Sequence, residues 1–299
     1  MASEFAYRTL DVFTEERFAG NPLAVVLDAG GLDAAVMQAV AREFNLSETV
    51  FVTAVDRAAA RATVRIFTPR AELPFAGHPT IGTALLLARD GLGECCDHDL
   101  RLTLEMAAGA VPVEITLDAG APVRASFLAP GHAVVEPPLD PALVAPAFGL
   151  DAADLGRSAP RAARHGLRFL FVEVVSLDAL ARARSVAQPA ALLAAGLDNG
   201  VYLFTRMTGD ATLRARLFAP LHGIIEDPAT GSAAAGLAAL LATTEADGPH
   251  REGSWRIVQG VEMGRRSVID ATARVRDGRV VAVSVAGGAV EVARGRIPV

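Results

Sequence analysis

Two short loops carry most of the side chains in this sequence that could move a proton or hold an anion. The first, RAELPFAGHP, sets His78 between Gly77 and Pro79; the second, IIEDPATGS, sets Asp227 before Pro228 and Ser232 after Gly231. His78 has no apolar face of its own, so acid/base work and a structural role are both open to it. Asp227 could serve a substrate or merely cap a turn, and Glu226 beside it could take its place. A third group, Glu48, opens the apolar run ETVFVTAV on the face of Val50 and Val52. A carboxyl turned that way loses water and its pKa rises toward useful acid/base values; at a solvated strand end it would not.

The glycines suggest what these groups act on. Gly77 and Gly231 each come just before an Ala/Leu-rich helix, where backbone N–H groups stay uncovered and the helix dipole adds partial positive charge. Such ends accept a carboxylate or phosphate. Two of them could share one small anion, or the glycines could serve only close helix–strand packing. GHPTIGT and GSAAAGL each match half of a phosphate-binding loop but lack its lysine. Ser232 also lacks the spacing of a nucleophile elbow, which leaves it a hydrogen-bonding or capping role.

Composition removes other chemistries. All 28 basic residues are arginines, so neither a lysine Schiff base to pyridoxal phosphate nor a phosphate-gripping lysine is available. The formal net charge is -6 with scattered arginines, which argues against nucleic acid as a partner. Cys95 and Cys96 are neighbours, too close to build a disulfide framework. The run CCDHDL lacks zinc spacing and reads as surface, so no metal is expected. The first residues lack a signal-peptide pattern, and the longest apolar stretch, near residues 233 to 242, falls short of the roughly 20 needed to cross a bilayer. The expected location is the cytoplasm.

The elements that must position these groups come next. YRTLDVF and PLAVVLDA read as strands, and residues 33 to 44 as a helix capped by Asp33 and ended by Asn45, with Val36, Val40 and Phe44 on one face. ETVFVTAV and RATVRIFTP follow as strands, then a helix over TIGTALLLARDGL and short alternating runs over 101 to 128. Residues 129 to 166 show weak periodicity. LRFLFVEV and GVYLFTR read as strands, and the chain ends in a hairpin around Gly287 and Gly288. A repeat runs through this order. Arg65-Ile66-Phe67-Thr68-Pro69 leads to Gly77 and Gly82, and Arg216-Leu217-Phe218-Ala219-Pro220 leads to Gly231 and Gly236, each followed by an Ala/Leu helix. The expected fold is therefore α+β in two pseudo-symmetric domains, 1–122 and 123–286, with the segment about 287–299 returning to the first.

Together, DVFTEERFAGNPLAVV, NLSETVFV, RIFTPRAELPFAGHPTIGTA, IIEDPATGSAAAGLAALL and QGVEMGR resemble the phenazine-biosynthesis PhzF family across residues 11 to 266. The resemblance implies the diaminopimelate epimerase fold, each domain a mainly antiparallel sheet or barrel around a central helix, with the active site between the two. It implies a cofactor-independent isomerase acting on a small carboxylate-bearing substrate; the family's named example acts on a dihydro-hydroxyanthranilate. Glu48 would be the general acid/base, His78 and Asp227 would hold and polarise the substrate, and Gly77, Gly231 and Ser232 would line the anion site. A homodimer is expected on the resemblance alone. Related racemases use one cysteine per half, where this chain has Ala76 and Thr230 or their neighbours, so an amino-acid epimerase is the weaker alternative. A non-catalytic ligand-binding protein is the other.

Overall fold

The computed structural model describes residues 4–96, 99–185, 200–207, 209, 211–222, 224–244 and 250–299. Asp97 and His98 of the CCDHDL run lie outside them. The chain divides into two compact units, Met1–Leu128 with Ala286–Val299, and Ala129–Val285. The strand ending at Leu128 stays with the first unit.

In the first unit, β1 (Glu4–Val12) and β2 (Asn21–Val26) are antiparallel. The helix α1 (Ala34–Phe44) then carries the chain across to β3 (Glu48–Asp56), which runs parallel to β2. Parallel neighbours need such a crossover. Asp33 caps α1 by accepting the Val36 N–H at 2.9 Å, and Asn45 ends it in a left-handed conformation at φ 50°. β3 pairs with β4 (Arg61–Phe67), whose end pairs with the short β5 (Glu72–Leu73). After α2 (Gly77–Arg89) come β6 (Glu94–Cys96), β7 (Asp99–Met106), β8 (Gly109–Asp118) and β9 (Ala121–Leu128), successive antiparallel partners.

The second unit repeats the plan. β10 (Ala133–Pro138) and the single-turn α3 (Pro141–Val144) lead to the antiparallel pair β11 (Arg161–His165) and β12 (Leu167–Glu173). α4 (Leu177–Arg182) follows, and β13 (Val201–Arg206) lies parallel to β12. β14 (Thr212–Ala219) pairs with β13 and with β15 (Ile224–Asp227). Then come α5 (Gly231–Thr244), β16 (Arg251–Gln259) and β17 (Ser267–Arg276). β4–β7 and β14–β16 are the matching second parallel pairs. β18 (Arg279–Gly287) leads to β19 (Ala289–Pro298), which returns to the first unit as the antiparallel partner of β1, the place that β10 holds beside β11.

Each unit is built around one helix. Residues Gly77 to Ala88 of α2 are all buried, as is nearly all of α5, because neither helix has a polar face. α2 packs on β1, β2, β3, β7, β8, β9 and β19; α5 packs on β10, β11, β12, β16 and β17. The second glycine of each repeat permits that approach. A Cβ on Gly82 would lie 2.6 Å from Leu23 Cδ2, and one on Gly236 would lie 2.9 Å from the Phe171 ring. The architecture is α+β, as the sequence implied. Among the described residues no helix is long and apolar enough to cross a membrane.

Candidate active site

Glu48 is the first residue of β3, paired with Leu23 of β2, and its side chain is 17% exposed. The left-handed turn at Asn45 delivers it there. His78 is the second residue of α2, not a loop residue before it: the helix begins at Gly77, with Ala76 as a cap that supplies no side-chain bond. Its Nε2 faces Glu48 Oε2 at 3.4 Å. Burial pushes the His78 pKa down to about 3, opposed in part by a ring hydrogen bond to the Pro22 carbonyl. The ring is therefore neutral at ordinary pH. Because Nε2 has no hydrogen-bond partner, the bond to Pro22 belongs to Nδ1, which holds the proton and leaves a lone pair on Nε2 toward the carboxyl. A proton resting on Glu48 has an acceptor beside it.

The dipeptide Asn21–Pro22 holds both partners. Pro22 fixes the imidazole, and the fully buried Asn21 accepts from Ser47 Oγ at 3.0 Å, one residue before Glu48. Both come from the FTEERFAGNP turn, where Gly20 at φ 66° has no room for a Cβ beside the Val12 carbonyl.

In the second unit, Asp227 ends β15 and is 9% exposed. Its Oδ2 accepts the Thr230 hydroxyl. Pro228 and Ala229 are buried beneath the turn, and Gly231 and Ser232 are the first two residues of α5. The neighbouring Glu226 has another task. It takes the Arg216 guanidinium through two bonds of 2.7 and 2.8 Å, while Arg216 stacks on the Phe218 ring at 4.8 Å. Arg65, Glu72 and Phe67 form the matching group in the first unit. The Arg-x-Phe repeat is thus a strand-to-turn clamp, and Glu226, not Asp227, is its carboxyl in the second unit.

Gln259, like Asn21 and Ser47, is a residue that the sequence alone does not single out. Fully buried at the end of β16, it bonds to the Asp227 carbonyl, to Thr230 at two atoms and to Tyr202. The signal was present in QGVEMGR, a recognisable run whose residues carry no obvious chemistry. Cys95 and Cys96 lie on β6, in neither glycine turn. Among the described residues no group of three His, Cys, Asp or Glu side chains could hold a metal.

The family model for phenazine biosynthesis-like proteins matches residues 10–295. A trans-2,3-dihydro-3-hydroxyanthranilate isomerase of Pseudomonas aeruginosa is 38% identical, covering 97% of this chain and 98% of its own. An uncharacterized isomerase of Mesorhizobium japonicum is also 38% identical, at 97% and 98% coverage. The crystal structure of a Bacillus anthracis phenazine biosynthesis protein of the PhzF family aligns with a TM-score of 0.85 at 26% identity, over 99% of this chain and 100% of that one. With this fold and these relatives the protein is an enzyme, an isomerase. The chain belongs to the phenazine biosynthesis-like PhzF family.

Proposed function

We propose that the protein catalyses a cofactor-independent proton shift within one small molecule that bears a carboxylate. Glu48 removes a proton from carbon; the electron pair moves into the adjoining conjugated system, and the proton is returned at another carbon. Nothing is oxidised or reduced overall. His78 and Asp227 hold and polarise the substrate, and Gly77, Gly231 and Ser232 bind its carboxylate through the uncovered N–H groups of two helix starts. The observation that carries this reading is the 3.4 Å approach of Glu48 to a buried neutral imidazole at a helix start. A positioned acid/base contributes roughly 10²–10⁴-fold, and fixed geometry and electrostatics supply the remainder.

The relatives named for it make trans-2,3-dihydro-3-hydroxyanthranilate the first compound to test. In D₂O the protein should convert it with deuterium entering carbon, followed by NMR. Glu48→Gln should lower turnover by about 10²–10⁴-fold while retaining binding by calorimetry. Undiminished turnover in that variant would remove Glu48 from the mechanism.

A further inference from the structure

The buried cluster beneath the Asp227 turn has a fixed direction. Gln259 sits at its centre, and two backbone groups decide which way its amide lies. The Asp227 carbonyl only accepts, so the atom 2.7 Å from it is Nε2; the Thr230 N–H only donates, so the atom 3.2 Å from it is Oε1. Nε2 also reaches Thr230 Oγ1 at 3.1 Å. With a lone pair engaged there, the single Thr230 hydroxyl proton is left for Asp227 Oδ2. Tyr202 Oη donates to Oε1 at 2.8 Å, and burial, with Asp227 as a second cause, pushes its pKa up, so the phenol keeps its proton. The next residue ties the segment to the turn. Gly260 is at φ 75°, and a Cβ on it would lie 2.6 Å from the Pro228 carbonyl and 2.4 Å from that of Arg265.

We propose that Gln259 is a positioning residue that works through Thr230: by occupying the hydroxyl's lone pair, it commits the Thr230 proton to Asp227 and keeps that carboxyl an ionised acceptor. Such a group suits a substrate that carries a donor, an amine or a hydroxyl, in addition to its carboxylate. This rests on Asp227 belonging to the reacting site.

Thr230→Val, Gln259→Leu and the double variant separate this role from simple support. Losing a hydrogen bond to a charged group costs about 10- to 100-fold, so each single variant should lose that much in kcat/KM on trans-2,3-dihydro-3-hydroxyanthranilate. Because both changes remove the same proton's commitment, the double variant should be no more than about threefold worse than either single one. The acid limb of the rate profile should move to higher pH in all three. Multiplying losses, or an acid limb that stays in place, would overturn the proposal. Should Gln259→Leu not fold, Gln259→Glu keeps the shape, loses both donated bonds and carries the same expectation. An independent arm needs no substrate: the ¹³C carboxyl signal of Asp227 should titrate about one pH unit higher in Thr230→Val and in the Gln259 variants than in the parent. If the parent does not turn the compound over, the functional reading fails for that substrate, and an unmoved Asp227 titration would independently sink the role given to Gln259.

Discussion

At the scale of the residue, the His78 ring is only 5% exposed, and charging it there would strip water from an imidazolium. Unfolded, it titrates near 6.5; folded, it stays neutral down to about 3. Between those values the unfolded chain binds a proton that the folded chain refuses, so stability falls as pH drops, by up to about 1.4 kcal/mol per unit. Above pH 6.5 this group contributes no pH dependence. His78→Asn, which keeps a donor for the Pro22 carbonyl, should flatten that part of the curve in urea titrations at pH 7, 5 and 4. Equal slopes in the two proteins would mean that the ring is not buried in its neutral form. Glu48, His78 and Asp227 stand out in the sequence as candidates because their side chains have a chemistry to suspect. Asn21, Ser47 and Gln259 were not, since amides and hydroxyls are common on any surface. Only the fold shows Asn21 and Gln259 fully buried with committed partners.

At the scale of the element, the two copies of the Arg-x-Phe clamp differ in what surrounds them. Arg65 and Glu72 are 32% and 37% exposed, and water screens much of their attraction. Arg216 and Glu226 are 8% and 13% exposed, and Arg216 also donates to the Leu180, Ala181 and Ala183 carbonyls at the end of α4. Arg65→Met should therefore cost about 0–1 kcal/mol, and Arg216→Met about 3–5 kcal/mol because it strands a buried carboxylate and uncaps a helix. Chemical denaturation of the two variants side by side checks this; similar losses would refute the contrast. The repeat was legible because Arg, Phe, Pro and Gly recur in order. The strands β10 and β11 were not, within a stretch that read as weakly periodic. AVVEPP is half exposed and ends in two prolines, and RAARH has small residues where alternation would show. Pairing with β12, not local propensity, makes β11 a strand.

At the scale of the molecule, the first unit is closed by the last strand of the chain. β19 pairs with β1 along its whole length, from Glu4 against Pro298 to Val12 against Ala289, and it packs against α2. Without it, β1 becomes an open edge beside a helix that has no polar face, and the unit loses both backbone bonds and apolar cover. In the sequence this stretch shows only as the second arm of a hairpin around Gly287 and Gly288, and the pairing with β1 emerges only in three dimensions. Truncation after Gly288 should therefore unfold the first unit. The chain supplies its own reporter for the rest: its single tryptophan, Trp255, lies on β16 of the second unit. As a compact unit with its own buried helix, residues 129–285 should hold their structure. The truncated protein should lose a large share of its far-ultraviolet circular dichroism at 25 °C and still show the native emission and a cooperative unfolding transition at Trp255. Loss of both signals together would mean that the second unit depends on the first for its fold; loss of neither would mean that β19 does not close the sheet on which α2 relies.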